Sequence, residues 1–519
     1  MIEIGQQSSV RNIWEQQVKT FPEKEFLIYE NPDTGEVKTF TYAAFDKLIA
    51  QAANLFLARN VRAGDRVGVQ LHNSVELVLC LMGLSCIGAV FVPMNCTFTI
   101  RECKDIIDRC GITLFVSYKD MTDKLRRSCS NLDCISVGAD DESKFLKLCR
   151  NESTCVSIPD DITGDEIIEI MHTSGTTASP KGVMLTHNNF IFAGRYVNWE
   201  LAMNPSDRYL STMDASHVNF QLSALMPVIS IGATLIFIRR YSASRFWDEA
   251  KKYDATLVQG MSMIVRTLLA QKKREDDAVH TIREMHYFLP ITENEKKAFE
   301  SRFGVTLLNN YGSTEDLVGC ITDYPDGERR WPSIGRAGPG YEARIIDDSG
   351  NEAGPNVLGQ IAIHGKPGVS LMAGYWNEPE ATSEAVSPDG WFFTGDYGYR
   401  DADGWYYFTD RASDLIKRSG ENISANEVQS VIMDCPGVYD VAVFGVPDDM
   451  RDEAVKAVIV AEKGASIDVE DIISYASTKL AYYKVPTIIE FSDSLPRGLY
   501  GKILKHELRE DHINQQQFR

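Results

Sequence analysis

The sequence predicts an α/β protein: a large N-terminal domain of α/β sheets covered by helices, with a small β-subdomain, and a smaller α+β domain at the C-terminal end. Three observations lead there. From about residue 40 to 340, helical patterns alternate with short apolar runs. Around 335–410 this gives way to short strands separated by Gly and Asp turns. After "DRASDLIKRSG" the texture changes again, to a compact mixture of strands and helices of ordinary domain size. With 519 residues the chain exceeds one ordinary domain.

In the first region "AFDKLIAQAANLFLARN" precedes "RVGVQL", and "FWDEAKKYD" precedes "ATLVQG", each a helix followed by a β-run. Two uncharged stretches, 77–100 and 218–238, are long enough to span a bilayer. Both break at "IGA" before a β-type run, "VFVPMN" or "TLIFI", so each reads as helix, glycine turn and buried strand. The shared pattern hints at two related halves. "YEARIID", "GQIAIHG", "GWFFTGD" and "GWYYFTD" supply the β-subdomain. "VYDVAVFGV", "KAVIVAE", the helical "DVEDIISYASTKLAYY" and "LKHELRED" build the last domain, and the tail "DHINQQQFR" is expected to fray. The domains are expected at 1–410 and 411–519, with the boundary near 411–414.

A formal net charge of -20 argues against general nucleic-acid or anionic-membrane binding. Of the eleven cysteines, most precede residue 156 at irregular spacings with no C-x-x-C pair, which suits a reduced cytoplasmic chain with buried thiols. The N-terminal "MIEIGQQSSVRNIWEQQ" has neither a basic start nor an apolar run, so no secretory signal is expected.

The stretch "MHTSGTTASPKGVMLTHNN" crowds Thr173, Ser174, Gly175, Thr176, Thr177, Ser179 and Gly182 around Pro180 and one cation, Lys181. It follows "DEIIEIM", a candidate strand. A strand entering a Gly/Ser/Thr loop can cradle phosphate, because backbone N–H groups and hydroxyls donate to its oxygens. The pattern is not G-x-x-x-x-G-K-[ST], since Lys181 precedes its glycine. Taken alone, the stretch reads equally as a polar surface loop. Other segments add weight. "NNYGSTE" ends in Glu315, a carboxylate suited to Mg²⁺, beside Thr314. "WFFTGDYGYR" supplies Asp396, a carboxylate of the kind that binds ribose hydroxyls. "DRASDLIKRSGENIS" supplies Arg411 and Lys417, and "LPRGLYGKILKHELR" sets Lys502 in a Gly-rich turn.

These segments, in this order and over nearly the whole chain, resemble the superfamily of acyl-CoA synthetases, firefly-type luciferases and peptide-synthetase adenylation domains. The resemblance implies an ATP-dependent ligase that activates a carboxylate as an acyl-adenylate and passes the acyl group to coenzyme A. It implies that the hydroxyl-rich stretch grips the β- and γ-phosphates. It makes Lys502 the catalytic lysine of adenylation and Glu315 the Mg²⁺ ligand. Asn310 and Tyr311 would border adenine, Thr314 the α-phosphate, and Asp396 and Arg411 the ribose, with Gly312 also in the ATP site. For thioester formation the small domain would rotate, bringing up Lys417 with Ser419 and Gly420, where the coenzyme A arm passes. The pivot would be Ser413, where relatives usually carry Asp or Lys. Leu499 and Tyr500 also depart from the Ser or Thr common before the last glycine. His217 matches a residue near the mouth of the acyl tunnel.

A closer resemblance, to bacterial crotonobetaine/carnitine-CoA ligases, rests on "HYFLPITENEKKAFESRFG" in place of a "GGAP"-like segment, and on "YSASRFWDEAKKYDATLVQGMSMIVRTLLAQ", "DGERRWPSIGRAGPGYEARIID" and "DMRDEAVKAV". It implies a small trimethylammonium carboxylate as the acid. A quaternary ammonium donates no hydrogen bond and is held by aromatic faces with a carboxylate nearby. Tyr287, Phe288, Trp331, Phe220, Asp214 and Asp316 are the candidates, each readable also as core packing or a turn. A medium-chain or aryl acid–CoA ligase and a stand-alone carrier-loading adenylation domain are the competing readings.

If 173–182 grips the phosphates, Lys181→Ala raises the Michaelis constant for ATP and slows adenylation. Limited proteolysis should then cut the stretch without nucleotide and spare it with ATP and Mg²⁺. Cleavage indifferent to nucleotide would favour the surface-loop reading.

Overall fold

A computed structural model describes residues 9–129, 131–137, 143–157, 162–173, 180–288, 291–347, 349–411, 414–418, 421–448, 452–497 and 503–517. At 143, 411, 417, 421, 422, 452, 506 and 513–517 it describes the backbone alone. By packing, the chain divides into two compact units, 1–343 with 362–393, and 344–361 with 394–519.

The larger unit carries two sheets. The seven-stranded one runs in the order Gly374–Tyr375, Lys181–Thr186, Ile167–Thr173, Val90–Pro93, Arg66–Gln70, Leu114–Tyr118, Asp133–Val137. From Ile167–Thr173 onward its strands are parallel, and two antiparallel strands complete the other edge. The nine-stranded sheet runs Arg336–Ala337, Ile321–Thr322, Thr306–Tyr311, Glu284–Phe288, Leu257–Met261, Arg208–Ser211, Thr234–Ile238, Glu25–Asn31, Glu36–Thr41. The strands from Thr306–Tyr311 to Glu25–Asn31 are parallel.

The two uncharged stretches fold as read. Helix Val75–Cys86 leads through Gly88 into strand Val90–Pro93, and helical residues 218–231 lead through Gly232 into Thr234–Ile238. Both glycines have left-handed φ, +69° and +76°, which a side chain rarely adopts. Each sheet receives one such unit. Both strands are buried along their whole length, as parallel strands covered on both faces require. Among the described residues no helix is long and apolar enough to cross a membrane.

The smaller unit takes in most of a four-stranded sheet, ordered Glu342–Ile346, Gly359–His364, Trp391–Arg400, Tyr406–Arg411. A second sheet, ordered Glu421–Ser424, Leu415–Arg418, Asp452–Ala461, Val438–Asp448, has Ile488–Phe491 beside Asp452–Ala461. Its core of Ile416, Val441, Val443, Val455 and Ile459 packs on helices Ala425–Met433 and Val469–Ser477 through Val428, Ile432 and Ile472. Asp410 accepts two hydrogen bonds from Asn426, at 3.0 and 3.1 Å, tying strand Tyr406–Arg411 to the start of helix Ala425–Met433. Packing therefore groups the 394–410 strands with the C-terminal residues. A pivot at 411–414 is a separate matter, and Ser413 lies outside the described residues. The tail differs from its reading. Its backbone stays helical through Gln517, continuing helix Lys505–Gln517 rather than fraying after Asp511.

One buried polar cluster pins the nine-stranded sheet. Glu200, the last residue of helix His187–Glu200, is fully buried and accepts a hydrogen bond from Thr322 Oγ1. His286 Nε2 lies 3.0 Å from Glu200 Oε2, a contact that does not meet hydrogen-bond geometry, and its Nδ1 lies 3.2 Å from Tyr209 Oη. One carboxylate thus ties three strands of the sheet to one helix. Removing one partner of such a cluster leaves the others buried and uncompensated. Glu200→Ala should cost about 3–5 kcal/mol in the first denaturant transition, and Glu200→Gln, which can still accept from Thr322, clearly less. Equal losses in the two variants would show that packing, not the polar cluster, carries the stability.

Candidate active site

Parallel sheets offer ligands the crevice beyond the C-terminal ends of their strands. Met261, Phe288 and Tyr311 end three neighbouring strands of one sheet, and Thr173 ends a strand of the other. Phe288 pairs in register with Asn310. Asn310 is buried, yet its amide oxygen and nitrogen have no hydrogen-bond partner among the described residues. A buried carboxamide without partners offers a ligand one donor nitrogen and one acceptor oxygen.

The chain after Tyr311 turns sharply. A Cβ on Gly312 would stand 1.8 Å from the carbonyl oxygen of Val318, so only glycine fits. Asp316 accepts from Ser313 N and lies with Oδ2 3.4 Å from Cys320 Sγ, Leu317 takes φ +76°, and Tyr341 Oη donates to Asp316 O at 2.7 Å. This tight turn buries Thr314 and leaves Glu315 half-buried.

The other wall is the hairpin Ile167–Thr173 and Lys181–Thr186, closed by the pair Thr173 and Lys181. Burial pushes the His172 pKa down to about 4, so the imidazole at the hairpin's end is neutral at pH 7. Thr186 caps helix His187–Glu200 and donates from Oγ1 to Gly368 O at 2.7 Å, while Asn189 donates to Val369 O and Leu371 O at 2.9 and 2.8 Å. Segment 368–371 is thereby fixed. Next, Met372 N donates to Glu315 O at 2.7 Å, and strand Gly374–Tyr375 pairs with Met184 and Val183. The result is a line of three side chains. Lys181 Nζ lies 4.8 Å from the centroid of the Tyr375 ring, and Tyr375 Oη donates to Glu315 Oε1 at 3.0 Å. Burial, and then the Glu315 charge, raise the Tyr375 pKa above its usual value, so the phenol remains a donor.

The structure thus gathers Thr173, Lys181 and Glu315 through Tyr375, and sets Asn310, Tyr311, Gly312 and Thr314 along one strand and its turn. Asp396 is buried and stands in register with Arg411 on the adjacent antiparallel strand. Lys417 lies on strand Leu415–Arg418, opposite Asn422. The side chains of Arg411 and Lys417 are outside the described residues, as are Ser174, Gly175, Thr176, Thr177, Ser179, Ser419, Gly420, Leu499, Tyr500 and Lys502 entirely.

The acyl-pocket candidates separate. His217 caps a short helical turn, accepting on Nδ1 from Asn219 N at 3.1 Å, and burial lowers its pKa. A π-helical turn, Gln221–Leu225, follows within that helical run. Phe220 is fully buried against Phe237 at 4.4 Å. Tyr287 is fully buried, on the opposite face of its strand from His286 and Phe288. Trp331 lines a pocket of about 340 Å³ with Lys296, Glu300, Thr306, Leu307 and Asp323. That places it by the start of strand Thr306–Tyr311, roughly 17 Å from the Tyr311 end at ~3.3 Å per residue. Asp214 accepts from Ser216 N and Oγ and from Asn95 Nδ2, and Asp316 closes the turn described above. Phe288 and Tyr311 remain as half-buried aromatics at strand ends.

Three contributors escaped sequence reasoning. Tyr375 sits in "SLMAGYW", uncharged and indistinguishable from core. Asn189 looks like an ordinary polar helix residue. Arg109 donates to Pro180 O at 3.0 Å, bracing the hairpin, and gives no signal apart from its charge.

Glu315 suits a hard cation. Among the described residues Oε2 accepts no hydrogen bond, and no cluster of three or more metal-ligating side chains occurs. One carboxylate completed by phosphate oxygens and water is how Mg²⁺ is commonly held at nucleotide sites.

The chain is similar to known proteins over nearly its whole length. Residues 14–376 match the model of the AMP-binding enzyme family, and 427–502 that of the AMP-binding enzyme C-terminal domain. The crotonobetaine/carnitine–CoA ligase of Proteus mirabilis is 39% identical over 517 residues, covering 98% of this chain and 99% of that protein. The crystal structure of ATP-bound MatB from Rhodopseudomonas palustris superposes with a TM-score of 0.89 at 27% identity, covering 97% of this chain and 99% of the other. The o-succinylbenzoate coenzyme A synthetase (MenE) of Bacillus subtilis, in complex with AMP, gives 0.84 at 26% identity, covering 96% and 98%. Both family domains match in sequence order, and the chain belongs to the AMP-binding enzyme family.

Proposed function

We propose that the acid activated by this AMP-forming acid–CoA ligase is a small trimethylammonium carboxylate: crotonobetaine, carnitine or γ-butyrobetaine. The observation that carries the reading is the 39% identity, over 98% of the chain, to the crotonobetaine/carnitine–CoA ligase of Proteus mirabilis. Phe288, half-buried at the end of its strand, supports it as a face for a quaternary ammonium.

In this reading the carboxylate of the acid attacks the α-phosphorus of ATP and pyrophosphate leaves. The thiol of coenzyme A then attacks the acyl carbon and AMP leaves. Charge grows on the phosphoryl oxygens in the first step, so cations placed there lower the barrier. Lys181, with Thr173, Ser174, Gly175, Thr176 and Thr177, holds the β- and γ-phosphates. Lys502 stabilises the transferring group. Asn310 and Tyr311 border adenine, Gly312 lies in the ATP site, and Asp396 and Arg411 hold the ribose. Mg²⁺, bound through Glu315, would neutralise phosphate charge. Rotation about Ser413 replaces Lys502 with Lys417, Ser419 and Gly420 for thioester formation. His217 stands at the tunnel mouth.

The division of labour has a direct consequence. Lys502→Ala should abolish adenylate formation and largely spare thioester formation from a pre-made acyl-adenylate. Lys417→Ala should show the reverse bias. Equal loss of both half-reactions in both variants would sink the rotation.

Substrate charge is tested with γ-butyrobetaine and its neutral carbon isostere, 5,5-dimethylhexanoic acid, in one assay. A desolvated cation–π contact is worth about 2 kcal/mol, and ~1.4 kcal/mol is tenfold in rate. One or two aromatic contacts predict a preference for the cation of roughly 30-fold to 1000-fold in kcat/KM. Equal or better turnover of the neutral acid would point to the medium-chain or aryl reading.

A further inference from the structure

We infer that Tyr375 is a positioning residue that sets both Lys181 and Glu315, using its ring face for the lysine and its hydroxyl for the carboxylate. The inference rests on the reading that Lys181 meets phosphate and Glu315 meets the metal. The ammonium of Lys181 lies 4.8 Å from the ring centroid, within cation–π range. The hydroxyl donates to Glu315 Oε1 at 3.0 Å, which orients the carboxylate and leaves Oε2 as the oxygen for the metal. A hydrogen bond to a ligating carboxylate is the usual way a protein fixes a metal's ligand in place.

The backbone makes the placement stiff. Tyr375 is 7% exposed and pairs with Val183 on the same strand as Lys181. Ala373 N donates to Met184 O at 2.9 Å and Trp376 N to Gly182 O at 2.7 Å, so the tyrosine is bonded into the sheet on both sides. Trp376 also donates its indole N–H to Arg109 O at 3.4 Å, and Arg109 donates to Pro180 O, next to Lys181. Tyr375 therefore links the exit of the hydroxyl-rich stretch to the metal carboxylate through a rigid ring, with no mobile side chain between them.

The two functions of the tyrosine separate by substitution. Tyr375→Phe keeps the ring and removes the hydroxyl, and Tyr375→Leu removes both. Mn²⁺ binding is measured by electron paramagnetic resonance with ATP present and acid absent, so that no turnover occurs. ATP binding without divalent metal is measured by calorimetry. Tyr375→Phe should weaken Mn²⁺ binding by about tenfold and leave metal-free ATP binding unchanged. Tyr375→Leu should weaken both. Glu315→Gln serves as the reference. If Glu315→Gln binds Mn²⁺ more weakly while Tyr375→Phe binds it like the unaltered protein, the positioning role is overturned and the metal site stands. If Glu315→Gln itself binds Mn²⁺ unchanged, the metal reading fails and the inference falls with it.

Discussion

The site depends on the register of one sheet edge. Two residues, Gly374 and Tyr375, add to Lys181–Thr186, which in turn pairs with Ile167–Thr173. Because side chains alternate along a strand, a shift of one residue would carry Tyr375 to the opposite face, away from Lys181 and Glu315. So short a strand has little pairing of its own to hold register. The loop before it is pinned instead by side chains: Thr186 on Gly368, and Asn189 on Val369 and Leu371. The residues that cap a helix also set the position of the tyrosine, so local helix chemistry and the geometry of the site are one construction.

Buried polar groups divide into those with partners inside the protein and those without. Glu200 accepts from Thr322, and His286 lies within hydrogen-bond distance of Tyr209, in the core. Asp316 and Asp214, plausible counter-ions for a cationic substrate, are engaged in holding their own turns. Asn310 is among those without, since its amide finds no partner among the described residues. Burying such a group is unfavourable unless something completes it, which is why the end of this strand reads as a ligand wall.

Much of this was legible in the amino-acid sequence. The helix–glycine–strand units around Gly88 and Gly232 follow from apolar runs broken by a residue that accepts left-handed φ. Glu315 and Lys181 stand out by their chemistry in the sequence, whereas Asn310 is named only through the family resemblance. Tyr375 does not stand out, because an aromatic in an apolar run carries no mark of its partners. Trp331 was grouped with the substrate aromatics through its segment, whereas strand direction puts it by the far end of Thr306–Tyr311. Tyr287 and Phe288 are neighbours in sequence and face opposite sides of the sheet, a distinction that needs to know which face meets the site. The β-strands of 394–410 read as part of the first domain, while packing groups them with the C-terminal residues, where Asp410 accepts from Asn426.

The most direct test of the account is AMP release over a panel of acids, each measured with and without coenzyme A. The panel should hold crotonobetaine, carnitine and γ-butyrobetaine beside aryl and medium-chain fatty acids. The account predicts steady AMP release with the three trimethylammonium acids, dependent on both acid and coenzyme A, and little with the others. Steady release with an aryl or fatty acid in preference to all three betaines would contradict it.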